Sequence, residues 1–393
     1  MKEYIVSLCE DAAIAARSWR RHLHENPELS FQEFETTRYI EKILGSFTNI
    51  EIQKPTSTGL VGILRGAFPG KTVAIRADID ALPIEEDPTN DICSKVSGIM
   101  HACGHDGHTA TILGTAKVLS ALRSELRGTI KFIFQAAEEC PPGGAEEMVE
   151  AGILDDVDMI FGMHYHVPED PGIFLIKPGP LYSSTYNLNI TINGRGVHAA
   201  FPQNGIDIIL LASQIVVGIS SIIPRCIDNS KRSVLTITGI ECPLTYNSIP
   251  ESISLIGTMR TLDSNAGAII IKRVTDLCNN YCSIYGASCD VEFIKGYDIV
   301  SSTPSIATAT RKVLIGEFGE SNIIEPTPLM GGEDFSAYLH KVPGCYFRSG
   351  TRKRKKDGSV MPPHSSGYEF NDDSLLPSIK AQVAILMNAS NML

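Results

Sequence analysis

Eight consecutive residues, His101-Ala102-Cys103-Gly104-His105-Asp106-Gly107-His108, gather three imidazoles, a thiol and a carboxylate among small neighbours. In an extended segment successive side chains point to opposite faces, which would send His101, Cys103 and His105 the same way. A thiolate and imidazoles converging on one side make half of a metal site. The other half has to come from elsewhere in the chain. The candidates are Glu138-Glu139, His164, with His166 two residues on, and His364. Adjacent carboxylates repel, so burying both requires a compensating charge. A divalent cation would supply it, leaving one glutamate to bind metal and the other to act as general base on a water. Taken singly, Glu-Glu is usually a solvated surface pair and a lone histidine is usually structural. Their placement separates the two readings.

Glu138-Glu139 and His164 each follow a short apolar run of the kind that forms a buried strand, and His364 lies in a loop of the resumed first domain. The run at 72–78 ends in Asp78-Ile79-Asp80, the run at 128–135 leads to Glu138-Glu139, and the run at 159–163 leads to His164. Helical patterns at 108–123, 144–151, 303–318 and 374–390 alternate with them. This order predicts an α/β fold with a mostly parallel sheet and helices on both faces. Open sheets of that class place their sites beyond the C-terminal ends of the strands. After Pro180 the texture changes. Strand patterns at 185–193, 232–240, 251–259 and 288–296, with helices at 205–223 and 264–284, follow the order β-α-β-β-α-β. That order predicts an inserted ferredoxin-like domain at 183–298, splitting the first domain into 1–182 and 299–393.

A net charge of −11 argues against nucleic acid as a partner. No apolar run reaches the ~18 residues of a membrane span, so no membrane partner is expected. The acidic N-terminus lacks a secretion pattern, which leads us to expect a cytoplasmic protein. The ten cysteines are scattered, as expected of reduced thiols, and Cys278 and Cys282 share one face of a helical pattern. The run Arg352-Lys353-Arg354-Lys355-Lys356, followed by Asp357-Gly358, reads as a solvated hairpin loop.

The motif around Cys103, the Glu138-Glu139 pair, Gly162-Met163-His164 and Met330-Gly331-Gly332-Glu333-Asp334-Phe335-Ser336 together resemble the aminoacylase and glutamate carboxypeptidase family of two-metal metallopeptidases. The similarity is to its amidohydrolase branch, which includes N-acyl-amino-acid and hippurate hydrolases. Arg76-Ala77-Asp78-Ile79-Asp80, Gly194-Arg195-Gly196-Val197-His198, Asn247-Ser248-Ile249-Pro250 and Gly257-Thr258-Met259-Arg260 also match in family order.

The resemblance implies two divalent ions, Mn2+ or Zn2+. Cys103 would be shared by both, and His105, Glu139, His164 and His364 would complete the ligand set. Glu138 would be the general base. Asp78 and Asp106 would orient ligands from behind. His198 would stabilise the oxyanion, and Asn247 and Arg260 would hold the polar end of the substrate. That substrate would be an N-acyl amino acid or short peptide, and the inserted domain would serve as lid and as the contact of a homo-oligomer. The rival readings are an aminopeptidase or carboxypeptidase of the same fold, and a metal-binding protein without turnover. Two places depart from the branch: Ser365-Ser366-Gly367-Tyr368 lacks the proline usual before the aromatic, and His166 stands where tryptophan or another residue is commoner.

Overall fold

In the computed structural model, which describes residues 2–392, the chain divides into two units. Met1 and Leu393, the outer limits of the expected first domain, lie outside the described residues. Among the described residues, the first unit spans 2–179, 301–327 and 334–392. It opens with α1 (Lys2–Glu25) and α2 (Phe34–Leu44). Then follow β1 (Ile50–Gln53), β2 (Leu60–Arg65), β3 (Phe68–Asp78), α3 (His105–Ala121), β4 (Arg127–Gln135), α4 (Gly144–Glu150), β5 (Met159–His166) and β6 (Phe174–Leu175).

The second unit takes up residues 180–300 and 328–333. Short β7 (Gly179–Tyr182) leads into β8 (Ser184–Asn193), β9 (Val197–His198), α5 (Ile208–Ser220), α6 (Ile222–Cys226) and β10 (Ser233–Glu241). β11 (Ser248–Ile249), β12 (Ser252–Thr261), α7 (Ser264–Tyr285) and β13 (Ser288–Lys295) complete it. The chain returns through β14 (Val300–Ser302), α8 (Pro304–Phe318), β15 (Ile323–Ile324), α9 (Ser336–Lys341), β16 (Gly344–Gly350) and α10 (Leu375–Asn388).

The first unit is built on an eight-stranded sheet in the order β1-β2-β4-β3-β5-β16-β6-β15. Its centre, β4-β3-β5-β16, is parallel, while β2 runs against β1 and β4, and β6 runs against β16 but with β15. The register pairs Asp78 with Gln135, and Arg348 with His164. The loops after β3 and β4 and the C-terminal end of β5 therefore lie along one edge. Both faces of the central strands are buried, which explains their continuous apolar runs.

α1, α3, α8 and α10 contribute to one core with Ile75, Phe132, Phe161 and Phe347 of the sheet. On α1 the buried positions Cys9, Ala12, Ala16 and Leu23 follow helical spacing. Arg20 and His24 continue the stripe as buried polar residues. They are accommodated because both contact Asp106 in the first turn of α3, Arg20 Nη1 at 2.8 Å and His24 Nδ1 at 2.9 Å. His24 Nε2 reaches Glu86 at 3.1 Å, and Arg20 Nε reaches Asp372 at 2.5 Å.

The expectation that His101, Cys103 and His105 share one face of an extended segment is overturned. Gly104 turns the chain at φ 90, and α3 begins at His105, three residues before the expected start. A Cβ at Gly104 would sit 2.8 Å from the Tyr368 hydroxyl, so both backbone angle and space require glycine.

The second unit is an antiparallel sheet, β10-β12-β8-β13, with α5 and α7 packed on it in the order β-α-β-β-α-β. Cys278 and Cys282 are buried on α7 beside Ile270 and Val274. The helix expected at 205–223 is two helices, separated at Ser221. Segment 328–333, expected with the first domain, joins this unit through Leu329 N–H to Leu181 O (2.8 Å) and Ser183 N–H to Gly331 O (3.0 Å). Among the described residues, no helix is long and apolar enough to cross a membrane.

Burial alone would lower the proton affinity of His24, but hydrogen bonds to Asp106 and Glu86 outweigh it and hold the imidazole at about 9, above its ordinary 6.5. A raised folded-state value contributes stability that is complete below about pH 6.5 and is lost as pH rises through 9. Across that window unfolding should become easier by roughly 1–3 kcal/mol. His24→Gln should be less stable at pH 6 and should lack this alkaline limb. Parallel pH profiles in thermal melts of the two proteins would refute the assignment.

Candidate metal centre

Four segments bring the candidate ligands together. Cys103 lies in the loop before α3, and His105 is the first residue of that helix. Glu138 and Glu139 follow β4, and His164 lies in β5. His364 comes from the long connection between β16 and α10. Two of these turns use backbone angles unusual for residues with side chains: Ala137 at φ 54 and His364 at φ 61. The Ala137 turn is held by Glu33, whose carboxylate accepts the Ala137 N–H at 2.8 Å and the Thr58 hydroxyl at 2.9 Å. Burial pushes the Glu33 carboxyl up to about 7.

Cys103 Sγ is 3.4 Å from both His164 Nε2 and His364 Nε2. Glu139 Oε1 is 3.2 Å from His364 Nε2 and 3.8 Å from His105 Nε2. The donor atoms form two triads, Cys103/His105/His164 and Cys103/Glu139/His364, each with all atoms within 4.8 Å of one another. Their common corner is the thiol. Ligands arranged tetrahedrally at about 2.1 Å from one ion lie about 3.4 Å apart, so these spacings suit one ion per triad.

Hydrogen bonding aims the imidazoles. His105 Nδ1 donates to Asp80, at 3.0 Å from the backbone oxygen and 3.1 Å from Oδ1. His164 Nδ1 donates to Tyr165 O at 2.6 Å. This leaves His164 Nε2 to face the thiol and His105 Nε2 to face Asp78 and Glu139. His105 Nε2 is buried without a hydrogen-bond partner, pointing toward carboxylates. Such an atom is costly in a dry site unless a cation meets it.

The charges give the same answer. Burial alone would lower the proton affinity of His105, yet Asp78, Asp80 and Glu139 hold it up at about 10. They call for positive charge at Nε2, which a proton or a metal ion can provide. Burial, followed by Glu139, Glu138 and Asp78, pushes the Cys103 thiol well above its ordinary range. A divalent ion reverses that preference by stabilising the thiolate. Burial holds the His164 imidazole well below its usual value, leaving a neutral ring suited to ligation. The thiol, imidazole and carboxylate donors fit two divalent ions.

The other predicted residues sit as follows. Glu138 is buried, with a carboxylate oxygen within 4.8 Å of donor atoms of His105 and Glu139. Asp78 contacts His108 Nδ1 at 2.5 Å and lies 3.7 Å from His105 Nε2. His108 Nε2 accepts the Tyr165 N–H, so both its nitrogens are engaged. Asp106 turns away from the candidate ligands, toward Arg20, His24 and the Gly107 N–H. His101 is buried, and neither ring nitrogen has a hydrogen-bond partner.

In the second unit, His198 and Asn247 meet across a short ladder. Ser248 pairs with His198, and the Ala199 N–H donates to Asn247 O at 2.9 Å. Arg260, on β12, donates to Met330 O at 3.4 Å.

Sequence reasoning gives Asp80 no role. Its carboxylate also accepts the Glu139 N–H (3.0 Å) and the Ser30 hydroxyl (2.7 Å), so it orients residues of both triads. The available signal is its place two residues beyond Asp78, in the same strand-exit loop. Arg76, fully buried, contacts Asp78 at 2.8 Å and Asp334 at 2.6 Å and anchors that loop from below.

The sequence profile of Peptidase family M20/M25/M40 matches residues 74–388. An N-acyl-L-amino acid amidohydrolase of Geobacillus stearothermophilus is 42% identical over 296 residues, covering 75% of this chain and 80% of the relative. Thermostable carboxypeptidase 2 of Saccharolobus solfataricus is 39% identical over 376 residues, covering 95% and 94%. A solved dinuclear metal-binding peptidase of the M20 family from Bacillus subtilis matches with a TM-score of 0.86 at 32% identity, covering 98% of this chain and 100% of that one.

Asp80→Ala removes the acceptor for both His105 Nδ1–H and Glu139 N–H. Metal affinity should fall by about 10- to 100-fold, the range for groups that orient ligands. Competition against a graded chelator would measure it, and an unchanged affinity would dismiss the role given to Asp80.

Proposed function

The chain belongs to Peptidase family M20/M25/M40, as a metal-dependent hydrolase of its amidohydrolase branch, and we propose that it cleaves the amide bond joining an acyl group to an amino acid bearing a free carboxylate. The observation that carries this reading is the pair of triads sharing Cys103, with the buried Glu138 carboxylate beside them. A storage or structural site has no use for a carboxylate base placed next to a complete ligand set. The relatives named above include both an N-acyl-amino-acid amidohydrolase and a carboxypeptidase. Their substrates share the chemistry proposed here: an amide whose leaving group is an amino acid.

In this reading Cys103, His105 and His164 would hold one divalent ion, and Cys103, Glu139 and His364 would hold the other. The bound ions would polarise the scissile carbonyl and acidify the attacking water. The thiolate and imidazole donors would favour zinc, and the carboxylate would also suit manganese.

Glu138 accepts the proton of the attacking water at its carboxylate and delivers it to the leaving nitrogen. Asp80 and the Tyr165 carbonyl keep His105 and His164 in the tautomers that present Nε2. His198 donates a hydrogen bond to the developing oxyanion. Asn247 and Arg260 hold the polar end of the substrate, the guanidinium suiting a carboxylate. In this reading the second unit contributes these three residues and the contact surface of a homo-oligomer.

Glu138→Ala should retain both ions and lose at least about 100-fold in kcat, the lower end for a general base. Wild-type turnover in a metal-loaded variant would sink the mechanism. A screen of N-acyl amino acids, their C-terminal amides and free dipeptides tests the substrate class. Hydrolysis should require the free carboxylate and tolerate a blocked amine. The reverse requirement would identify an aminopeptidase instead.

A further inference from the structure

The basic run at 352–356 takes no part in that chemistry, and the structure corrects its reading as a simply solvated loop. Arg354 and Lys356 are exposed. Arg352, however, pairs with Asp170, its Nε at 2.7 Å from Oδ1. Lys353 Nζ bridges Asp91 Oδ2 (2.7 Å) and Glu369 Oε1 (2.9 Å). Lys355 Nζ donates to Asn90 Oδ1 at 3.1 Å.

These partners lie on either side of the connection that bears His364. The Asn90 amide donates to Ser366 O (3.3 Å) and Tyr368 O (3.2 Å), just past His364, and the Asp87 N–H also donates to Ser366 O (3.0 Å). The same amide donates to Glu86 Oε1 at 3.0 Å. Glu369 Oε1 accepts the Asp91 N–H at 3.1 Å as well. Lys353 thus fastens segment 86–91 directly against segment 366–369, and Lys355 holds the Asn90 side chain whose amide makes the same link.

His364 needs such fastening more than the other candidate ligands do. His105 begins a buried helix and His164 lies in a central strand. The His364 side chain is 51% exposed, and its backbone sits at φ 61, where residues with a Cβ are strained. Only surroundings that over-determine that conformation keep it. Its own N–H donates to Ala102 O at 2.9 Å, and the Ser365 hydroxyl donates to Pro362 O across it at 2.7 Å.

We propose that Lys353 and Lys355 are positioning residues that tether the His364 loop and so set the occupancy of the ion held by Cys103, Glu139 and His364. This rests on the two-metal reading above. Removing the tether acts on one ion and spares the other, whose His105 and His164 ligands stand on rigid elements. Because the tether is charged and partly exposed, salt weakens it.

The test counts metal per chain after dialysis against graded chelator, in wild type, Lys353→Met/Lys355→Met and Lys353→Arg, with thermal melts alongside. Wild type should hold two ions. The double variant should release one of them at about 10- to 100-fold lower chelator and keep the other. Lys353→Arg should behave as wild type. Raising sodium chloride from about 0.05 M to about 0.5 M should ease release of that ion from wild type and not from the double variant. Lys353→Met alone serves if the double variant melts early. Two ions held equally by wild type and the lysine variants, both ions lost in parallel, or salt-insensitive release would overturn the tether. Fewer than two ions in wild type would remove the two-metal reading and the tether with it.

Discussion

Buried negative charge is the constraint on which this structure turns. Asp78, Asp80 and Glu138 are buried around a thiol, with Glu139 nearly so. Beneath them one fully buried arginine, Arg76, pairs with Asp78 and Asp334. Carboxylates withdrawn from water are tolerated only where positive charge and hydrogen bonds answer them. The fixed hydrogen bonds are largely present. The positive charge toward which His105 Nε2 and the Cys103 thiol are arranged is what two divalent ions would bring. Binding there would contribute to the stability of every loop that supplies a donor.

The fold meets this constraint by dividing labour between stiff and soft elements. Parallel strands in register set the loops after β3 and β4 and the end of β5 along one edge. α3 then begins at His105, with its first turn pinned by Asp106 to Arg20 and His24 of α1. A helix held at both faces does not drift, so His105 and the adjacent Cys103 are placed by packing. His364 has no such support and depends on hydrogen bonds and ion pairs across two loops. A triad whose histidine stands on a half-exposed loop can exchange its ion there without disturbing the other, a physical reason for the two triads to differ in grip.

Much of this is legible in the amino-acid sequence. The β-α-β-β-α-β insert follows from hydrophobic periodicity alone, since period-two strands and 3.6-residue helices leave different local patterns. The donor types around Cys103, Glu139, His164 and His364 stand out because thiol, imidazole and paired carboxylates are rarely gathered at strand exits without a reason. Partners distant in the chain stay hidden. Asp80 orients His105 from 25 positions away, and Arg76 meets Asp334 across 258. No local pattern records such pairs.

The sequence by itself therefore determined the fold class and the cast of chemically able side chains, because these depend on residue type and short-range spacing. Only the tertiary structure decided how that cast is used. It turned the chain at Gly104 so that His105 starts a helix, and sent Asp106 toward α1. It gave Asp80 the orienting contacts and folded a basic run back onto acidic loops. Each of those outcomes depends on which long-range neighbour satisfies a buried charge or hydrogen bond, and that choice is made when the elements pack.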